Sequence, residues 1–487
     1  MFEAAGRPDM KMPDIKMAAE NGKVATYHPG NNIIELDPKA YDVCLEMGKD
    51  SLNALAFIIG HELAHSFQTE VRTGNLSTNF LSYDRIFSVP TRIEKVADIQ
   101  GVFTAYLAGF YMGNVVPKLL PRLYDAYHLT GKTFKGYPPL EERNLTAKEV
   151  LGINETLIDL YETANYLLVM EKNDIAIACY EYILKYYQGR ELYNNLGTVY
   201  LLSAFDFFLP ETDRFVHPVE IDASSQLTKI EKSRGVYELS PQERQFRNRL
   251  LEKSIEYFQQ AISLDQNYTT ARLNAACALN MLGKPKAALA FLEKGDLASK
   301  ARSAPELGGK IAIIKGISHA LLGDLDVADR SFEAAMRFDN QKISAQAGFN
   351  RNVLYSKPET ILPEHCFNFP ENFRMLMQDI PLGRVSQLEP MPLDENGKTF
   401  RRSKTGQTST FSFGDMNGNI ISIVRFKNNM VSSFDLLEMT STLDRAFFYN
   451  LVSTPTGYYL KSKADGLVIQ VDNKGKVMEL ARVFVHR

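Results

Sequence analysis

The sequence predicts three successive architectures: an α+β domain over residues 1–150, an all-helical repeat array over 151–355, and a small β-rich domain over 356–487. Three observations carry this. Residues 1–150 combine a short strand pattern with long apolar helical stretches. Residues 151–355 repeat small residues with a period of about 34. Beyond 356 the chain is rich in alternating and β-branched runs, with Asn417-Gly418 as a turn signal between two of them. The composition, 45% hydrophobic and 23% charged over 487 residues, supplies ordinary cores and excludes a largely disordered chain.

In the first domain, Lys23 to Asp37 reads as a hairpin: two extended runs flank His28-Pro29-Gly30-Asn31-Asn32, a cluster of turn formers. Asp50 or Ser51 then caps a helix that runs to about Thr73 and stops at Gly74. A second long helix starts near Pro90, a favourable first-turn residue, and runs to about Met112.

In the middle segment, Gly316, Gly323, Ala328, Phe332 and Ala335 form one unit; Ala276, Gly283, Ala288 and Leu292 repeat its spacing. Asn195-Leu196-Gly197 with Tyr200 opens another, Ser254, Phe258 and Ala261 fit a second helix, and Ala164, Ala176 and Tyr180 fit an earlier unit. Small residues let antiparallel helices approach, and Phe or Tyr fills the gap between them. The pattern resembles the tetratricopeptide repeat (TPR). Its concave face implies a partner protein or extended peptide as ligand. An insertion at about 205–239, with Pro210 and Pro218, separates the helices of one unit and reads as a loop. In the last segment, Gly466 to Val471 and Val477 to Val485 flank Asp472-Asn473-Lys474-Gly475 as a further hairpin.

Charge excludes some partners. Lys plus Arg number 55 against 58 Asp plus Glu, so no global positive field recruits nucleic acid. The basic run Arg401-Arg402 and Lys404 is too short to do so. Cys44, Cys179, Cys277 and Cys366 lie far apart, with neither metal-finger nor disulfide-scaffold spacing. Ile99 to Pro117 carries no charge, but Gly101, Gly109, Gly113, Asn114 and Pro117 interrupt it, so a buried helix is expected and no transmembrane segment. The first thirty residues show no apolar signal-peptide stretch.

The residues that carry chemistry are His61-Glu62-Leu63-Ala64-His65, an HExxH pattern inside the first long helix. Residues at i and i+4 share a helix face, so both imidazoles reach one Zn²⁺. Glu62 lies beside the metal position, where it takes a proton from the attacking water and returns it to the leaving amine. With eight histidines in the chain, chance predicts on the order of 0.01 such strings. Glu94-Lys95-Val96-Ala97-Asp98 offers Glu94 as a third ligand and Asp98, one turn on, as hydrogen-bond acceptor for a ligand imidazole, with His61 the expected donor.

HExxH followed by ExxAD is identified with the gluzincins, and Ala56 to His65 resembles the zinc helix of the HtpX, BepA and Oma type of zinc metallopeptidase. Tyr137-Pro138-Pro139-Leu140-Glu141-Glu142-Arg143 is similar to the family's HPPxxxR segment, with Tyr137 where His is usual. The resemblance covers about residues 20–150 and implies a zincin-like fold and one Zn²⁺ per chain held by His61, His65 and Glu94. It also implies an endopeptidase activity on unfolded or extended protein substrates, in which Tyr137 or Arg143 assists the developing oxyanion. His128 is a further candidate for the site. Ile33, Ile34 and Leu36, with Tyr27, are expected to line an exposed edge strand that pairs with substrate. A peptidase followed by TPR repeats resembles the BepA-type periplasmic quality-control proteases, which implies export, although no signal peptide is visible and the N-terminus is expected to be truncated or an internal start. The alternative is a TPR scaffold or chaperone with a non-proteolytic zincin domain.

Overall fold

A computed structural model of the chain describes residues 1–2, 5, 10–17, 23–72, 89–131, 139–221, 225–227, 239–338, 340–355, 389–405, 408–414, 420–426, 451–454, 457–462, 466–472 and 477–486. It divides into two compact units, Met1–Glu162 with Ile183–Gly189, and Thr163–Tyr182 with Arg190–Arg487. The expected three-domain layout is thereby revised: the middle helices and the C-terminal sheet belong to one unit.

The first unit opens with strands β1 (Asp14–Met17), β2 (Ala25–His28) and β3 (Ile33–Leu36). β2 and β3 form an antiparallel hairpin, Tyr27 opposite Ile34. Its turn includes Asn32 at φ 55°, a conformation asparagine tolerates better than most residues. The sheet order is β1-β3-β2, with β1 parallel to β3. This corrects the expectation for Ile33, Ile34 and Leu36. Both edges of β3 are already paired, and Ile34 and Leu36 are 1% and 3% exposed, so they are core and cannot receive a substrate strand.

Asp37 then caps α1 (Pro38–Leu45), its carboxylate accepting from the Lys39 N–H at 2.8 Å. α2 (Ser51–Arg72), α3 (Val89–Leu107), α4 (Val116–Ala126) and α5 (Leu140–Val169) follow. α3 ends earlier than Met112 because Gly109 takes φ 87° and turns the chain out of the helix.

The second unit takes in the C-terminal part of α5, then α6 (Asn173–Leu184), α7 (Arg190–Ala204), α8 (Pro210–Asp213), β4 (Val219–Ile221) and β5 (Ser225–Leu227). Helices α9 (Pro241–Leu264), α10 (Thr269–Met281), α11 (Pro285–Glu293), α12 (Leu297–Ser303), α13 (Pro305–Leu322), α14 (Leu325–Met336) and α15 (Gln341–Leu354) continue it. Two helix pairs share one packing device. A Cβ on Gly197 of α7 would fall 2.7 Å from the Phe258 ring of α9, and one on Gly316 of α13 would fall 2.6 Å from the Phe332 ring of α14. The missing side chain in each pair is the space the aromatic ring occupies.

The insertion at 205–239 was expected to be a loop; among its described residues it supplies α8 and two strands of a sheet. That sheet is completed by β6 (Met391–Pro392), β7 (Thr399–Thr405), β8 (Thr408–Gly414), β9 (Ile420–Phe426), β10 (Leu451–Thr454), β11 (Gly457–Ser462), β12 (Leu467–Asp472) and β13 (Val477–His486). Among the described residues ten strands run in the order β4-β5-β10-β11-β12-β13-β9-β8-β7-β6. β5 joins the C-terminal strands by pairing antiparallel with β10, Val452 opposite Leu227. The Tyr166 hydroxyl donates to Gln470 Oε1 at 3.3 Å, and Lys461 pairs with Glu171 at 2.9 Å, so the sheet is also tied to the end of α5 and the turn after it. Among the described residues, no helix is long and apolar enough to cross a membrane.

Candidate metal centre

The site is built where α2 crosses α3. α2 buries Ala54, Ala56, Phe57, Ile58, Leu63 and Ala64, which fixes its rotation. Gly60 and Gly101 then let the two helix backbones touch. A Cβ on Gly101 would fall 2.6 Å from the Gly60 carbonyl carbon and 2.8 Å from both the Gly60 oxygen and the His61 nitrogen. This contact lies next to His61 on α2, one turn from Asp98 and two turns from Glu94 on α3, and so draws both acids toward the histidines.

Three donor atoms converge. His61 Nε2 and His65 Nε2 are 3.1 Å apart, and Glu94 Oε2 lies 3.1 Å from the first and 3.5 Å from the second. A tetrahedral Zn²⁺ with ligand bonds near 2.1 Å separates its ligand atoms by roughly 3.4 Å. The observed spacings bracket that value. Among the described residues this is the one group of three His, Cys, Asp or Glu side chains that could hold a metal ion.

The other imidazole nitrogens are engaged elsewhere. His61 Nδ1 lies 2.8 Å from Asp98 Oδ1, and His65 Nδ1 lies 3.1 Å from Gln68 Oε1. An N–H donated from each Nδ1 leaves Nε2 with its lone pair toward the shared point, the tautomer a metal ligand needs. Asp98, 1% exposed, is fixed in turn by Arg143, whose guanidinium donates to its two oxygens at 2.5 and 3.0 Å. Two parallel charge-assisted hydrogen bonds hold the carboxylate in one plane.

The electrostatics favour positive charge at this point. Burial would lower the His61 pKa, but the Asp98 charge and the hydrogen bonds to Asp98 and Glu94, helped by Glu62, raise it to about 10. Without a metal ion, protons on the His61 and His65 Nε2 atoms hydrogen-bond Glu94 and hold it well below the usual carboxylate range, against its partial desolvation; a bound cation would take the place of those protons. Burial would raise Asp98, and Arg143 and His61 outweigh it and bring it to about 2. Two imidazoles and a carboxylate, backed by a second buried carboxylate, form a donor set suited to Zn²⁺. By distance, tautomer and charge the residues fit the metal.

Glu62 projects to one side of this group. Its Oε2 accepts the backbone N–H of Tyr27 at 2.8 Å, which ties it to β2, an edge strand of its sheet. Arg143, expected near an oxyanion, is instead the partner of Asp98. Lys95 pairs with Glu149 at 2.7 Å. His128 sits at φ 53°, ending the turn after α4, and is not part of the convergent group. Tyr137 lies outside the described residues. Sequence reasoning missed the Gly60–Gly101 contact, Gln68 and the Tyr27 N–H. A glycine inside an apolar helical run was the available signal for the first, and the i, i+3 spacing from His65 for the second.

No family model, curated protein or solved structure matches the chain.

Proposed function

We propose that the chain is a zinc-dependent metalloendopeptidase with one Zn²⁺ held by His61, His65 and Glu94. The observation that carries this is the convergence of His61 Nε2, His65 Nε2 and Glu94 Oε2 on one point, with both Nδ1 atoms turned to other partners. Bound there, zinc would supply Lewis acidity, lowering the pKa of a water and polarising a peptide carbonyl.

The remaining chemistry belongs to the chain. Glu62 accepts a proton at its carboxylate from the attacking water and delivers it to the leaving amine. Its hydrogen bond from the Tyr27 N–H fixes the carboxylate for both transfers. Asp98 orients His61 and keeps its Nε2 basic, and Arg143 orients Asp98. β2 is the edge strand beside Glu62, which supports an extended substrate lying along it. The helical array in the second unit then recruits partner proteins in a quality-control role, acting on unfolded chains.

The test is metal dependence of cleavage. Purified protein should bind one Zn²⁺ per chain, lose cleavage of an unfolded protein on chelation and regain it with one equivalent of zinc. The His65→Ala variant should neither bind an equivalent of zinc nor cleave. Cleavage that persists in metal-stripped protein overturns the reading.

A further inference from the structure

The described part of the insertion between α7 and α9 includes residues 215–220, which turn at Pro218, where the Val219 N–H donates to the His217 carbonyl at 2.9 Å, and then enter β4; this stretch is gripped by side chains from four helices. Val216 is held through its backbone: its N–H donates to Asn350 Oδ1 at 2.7 Å, and its carbonyl accepts from Asn350 Nδ2 at 2.9 Å and Gln346 Nε2 at 3.1 Å. Glu220 is held the same way four residues later. Its N–H donates to Asn274 Oδ1 at 2.8 Å, and its carbonyl accepts from Thr198 Oγ1 at 3.1 Å, from Asn194 Nδ2 at 3.2 Å and from Asn274 Nδ2. Asn274 and Asn350 thus each grip the N–H and the C=O of a single residue. This two-point contact reads peptide backbone and is indifferent to side chain.

The gripping amides are costly in any other role. Asn194, Asn274 and Asn350 are fully buried within helix interiors, where asparagine is a poor helix former and an unpaired amide is strongly unfavourable. They come from α7, α10 and α15, and the strand satisfies them. Side-chain recognition sits at the two ends. The Phe215 ring is buried among Ile313, Ile317, Phe332 and Ile343. The Glu220 carboxylate pairs with Lys310 of α13 at 2.5 Å and accepts from the Thr270 hydroxyl at 3.2 Å. On its other edge the same strand pairs with β5, Glu220 opposite Gln226, so the amides cover what is otherwise the open edge of the ten-stranded sheet.

We propose that the surface formed by α7, α10, α13 and α15 is a peptide site that this chain fills with its own residues 215–220, and that it takes a partner only by exchange for that segment. The partner is a protein segment that follows the same turned path, with a large apolar side chain and, five positions on, a carboxylate, the spacing of Phe215 and Glu220. The inference goes beyond the peptidase reading and is independent of the metal site, since none of its residues belongs to the metal group and its test reads no cleavage.

The experiment uses the full chain and a fluorescein-labelled peptide of residues 214–222, followed by fluorescence anisotropy. Self-occupancy lowers the apparent affinity by the fraction of time the site is open, so the Phe215→Ala/Glu220→Ala variant should bind the peptide about tenfold or more tighter than wild type. Adding Asn274→Leu to that variant should abolish the gain, and a peptide with alanine at both end positions should not bind. A variant that keeps its helical circular dichroism and a single cooperative melt, yet binds no more tightly than wild type, overturns the proposal. Native-state hydrogen exchange of the wild type decides the matter if the variant fails to fold. The Val216 and Glu220 amides should exchange through a local opening, faster than the core amides of α7 and α10. Equal protection makes the strand a permanent part of the core and overturns the proposal as well.

Discussion

Gly101→Ala tests whether the approach of α2 and α3 positions the metal ligands. The added Cβ would meet three backbone atoms of α2, the closest at 2.6 Å, where ordinary contact begins at 3.4 Å. Backbone cannot rotate aside as a side chain does, so the helices must separate locally by roughly 0.8 Å, within the range of overpacking that costs about 1–3 kcal/mol. Zinc sites tolerate ligand displacements of about 0.2 Å. Glu94 and Asp98 both ride on α3, so the displacement reaches a ligand and its neighbour's support together. The expected loss of zinc affinity is about 10–100-fold, the scale seen when outer support of a metal ligand is removed. A competition titration against a chromophoric chelator measures it, with urea denaturation of the metal-free protein in parallel. Gly152→Ala in α5 is the control: nothing lies within 4 Å of its Cβ position. It should leave zinc binding unchanged and stabilise by about 0.5–1 kcal/mol. Zinc affinity of Gly101→Ala within about twofold of wild type, a difference of only a few tenths of a kcal/mol, would refute the role given to this contact.

Other consequences are separable. Asp98→Asn removes the charge between His61 and Arg143 and should weaken zinc binding about 10–100-fold by calorimetric titration; Arg143→Met, which leaves the His61–Asp98 hydrogen bond, should weaken it less. In the second unit Arg247 and Asp213 form an ion pair with both side chains fully buried, so Arg247→Met should cost about 3–5 kcal/mol in urea denaturation by stranding the acid. Adding Asp213→Leu should recover part of that loss, and a double variant no more stable than the single would contradict the assignment. Burial, with Arg247 nearby, lowers the His217 pKa to about 4. The unfolded chain therefore binds this proton first, so stability is full above about pH 6.5 and falls as pH drops toward 4. Between pH 7.5 and 5 the loss from this group is about 2 kcal/mol. His217→Asn should lack it, and identical pH slopes for the two proteins would refute the assignment.

The metal group was legible because its information is local. His61 and His65 stand one turn apart, and Glu94 and Asp98 repeat that spacing on the next long helix. The β2–β3 hairpin was legible for the same reason, since its turn formers lie between its strands. Pairings distant in sequence left no such mark. β1 carries too little alternation to announce that it would pair parallel with β3, and its presence turns Ile34 and Leu36 from a supposed substrate edge into core. The strands in the insertion were hidden by their short length and by Pro218 immediately before β4, and their partners lie on β10 and on four helices. Asn194, Asn274 and Asn350 carry no pattern of their own in the sequence, where asparagine is a poor helix former; their role is visible only beside the backbone they grip. The Gly60–Gly101 contact was masked differently. In the sequence Gly101 reads only as an interruption of an uncharged stretch, because its partner Gly60 lies on another helix.

The central claim is that Glu62 moves the proton in a zinc-dependent peptide hydrolysis. Glu62→Gln preserves the side chain's shape, its oxygen acceptor toward Tyr27 and all three metal ligands, and removes the base. The most direct measurement is cleavage of unfolded casein by the purified, zinc-loaded full chain and by Glu62→Gln in parallel, with zinc content determined on both. The account requires equal zinc, one per chain, and cleavage reduced by at least about 100-fold in the variant, the lower end of what a general base contributes. Full cleavage by Glu62→Gln, or a wild type that carries zinc and cuts no peptide bond, would contradict it.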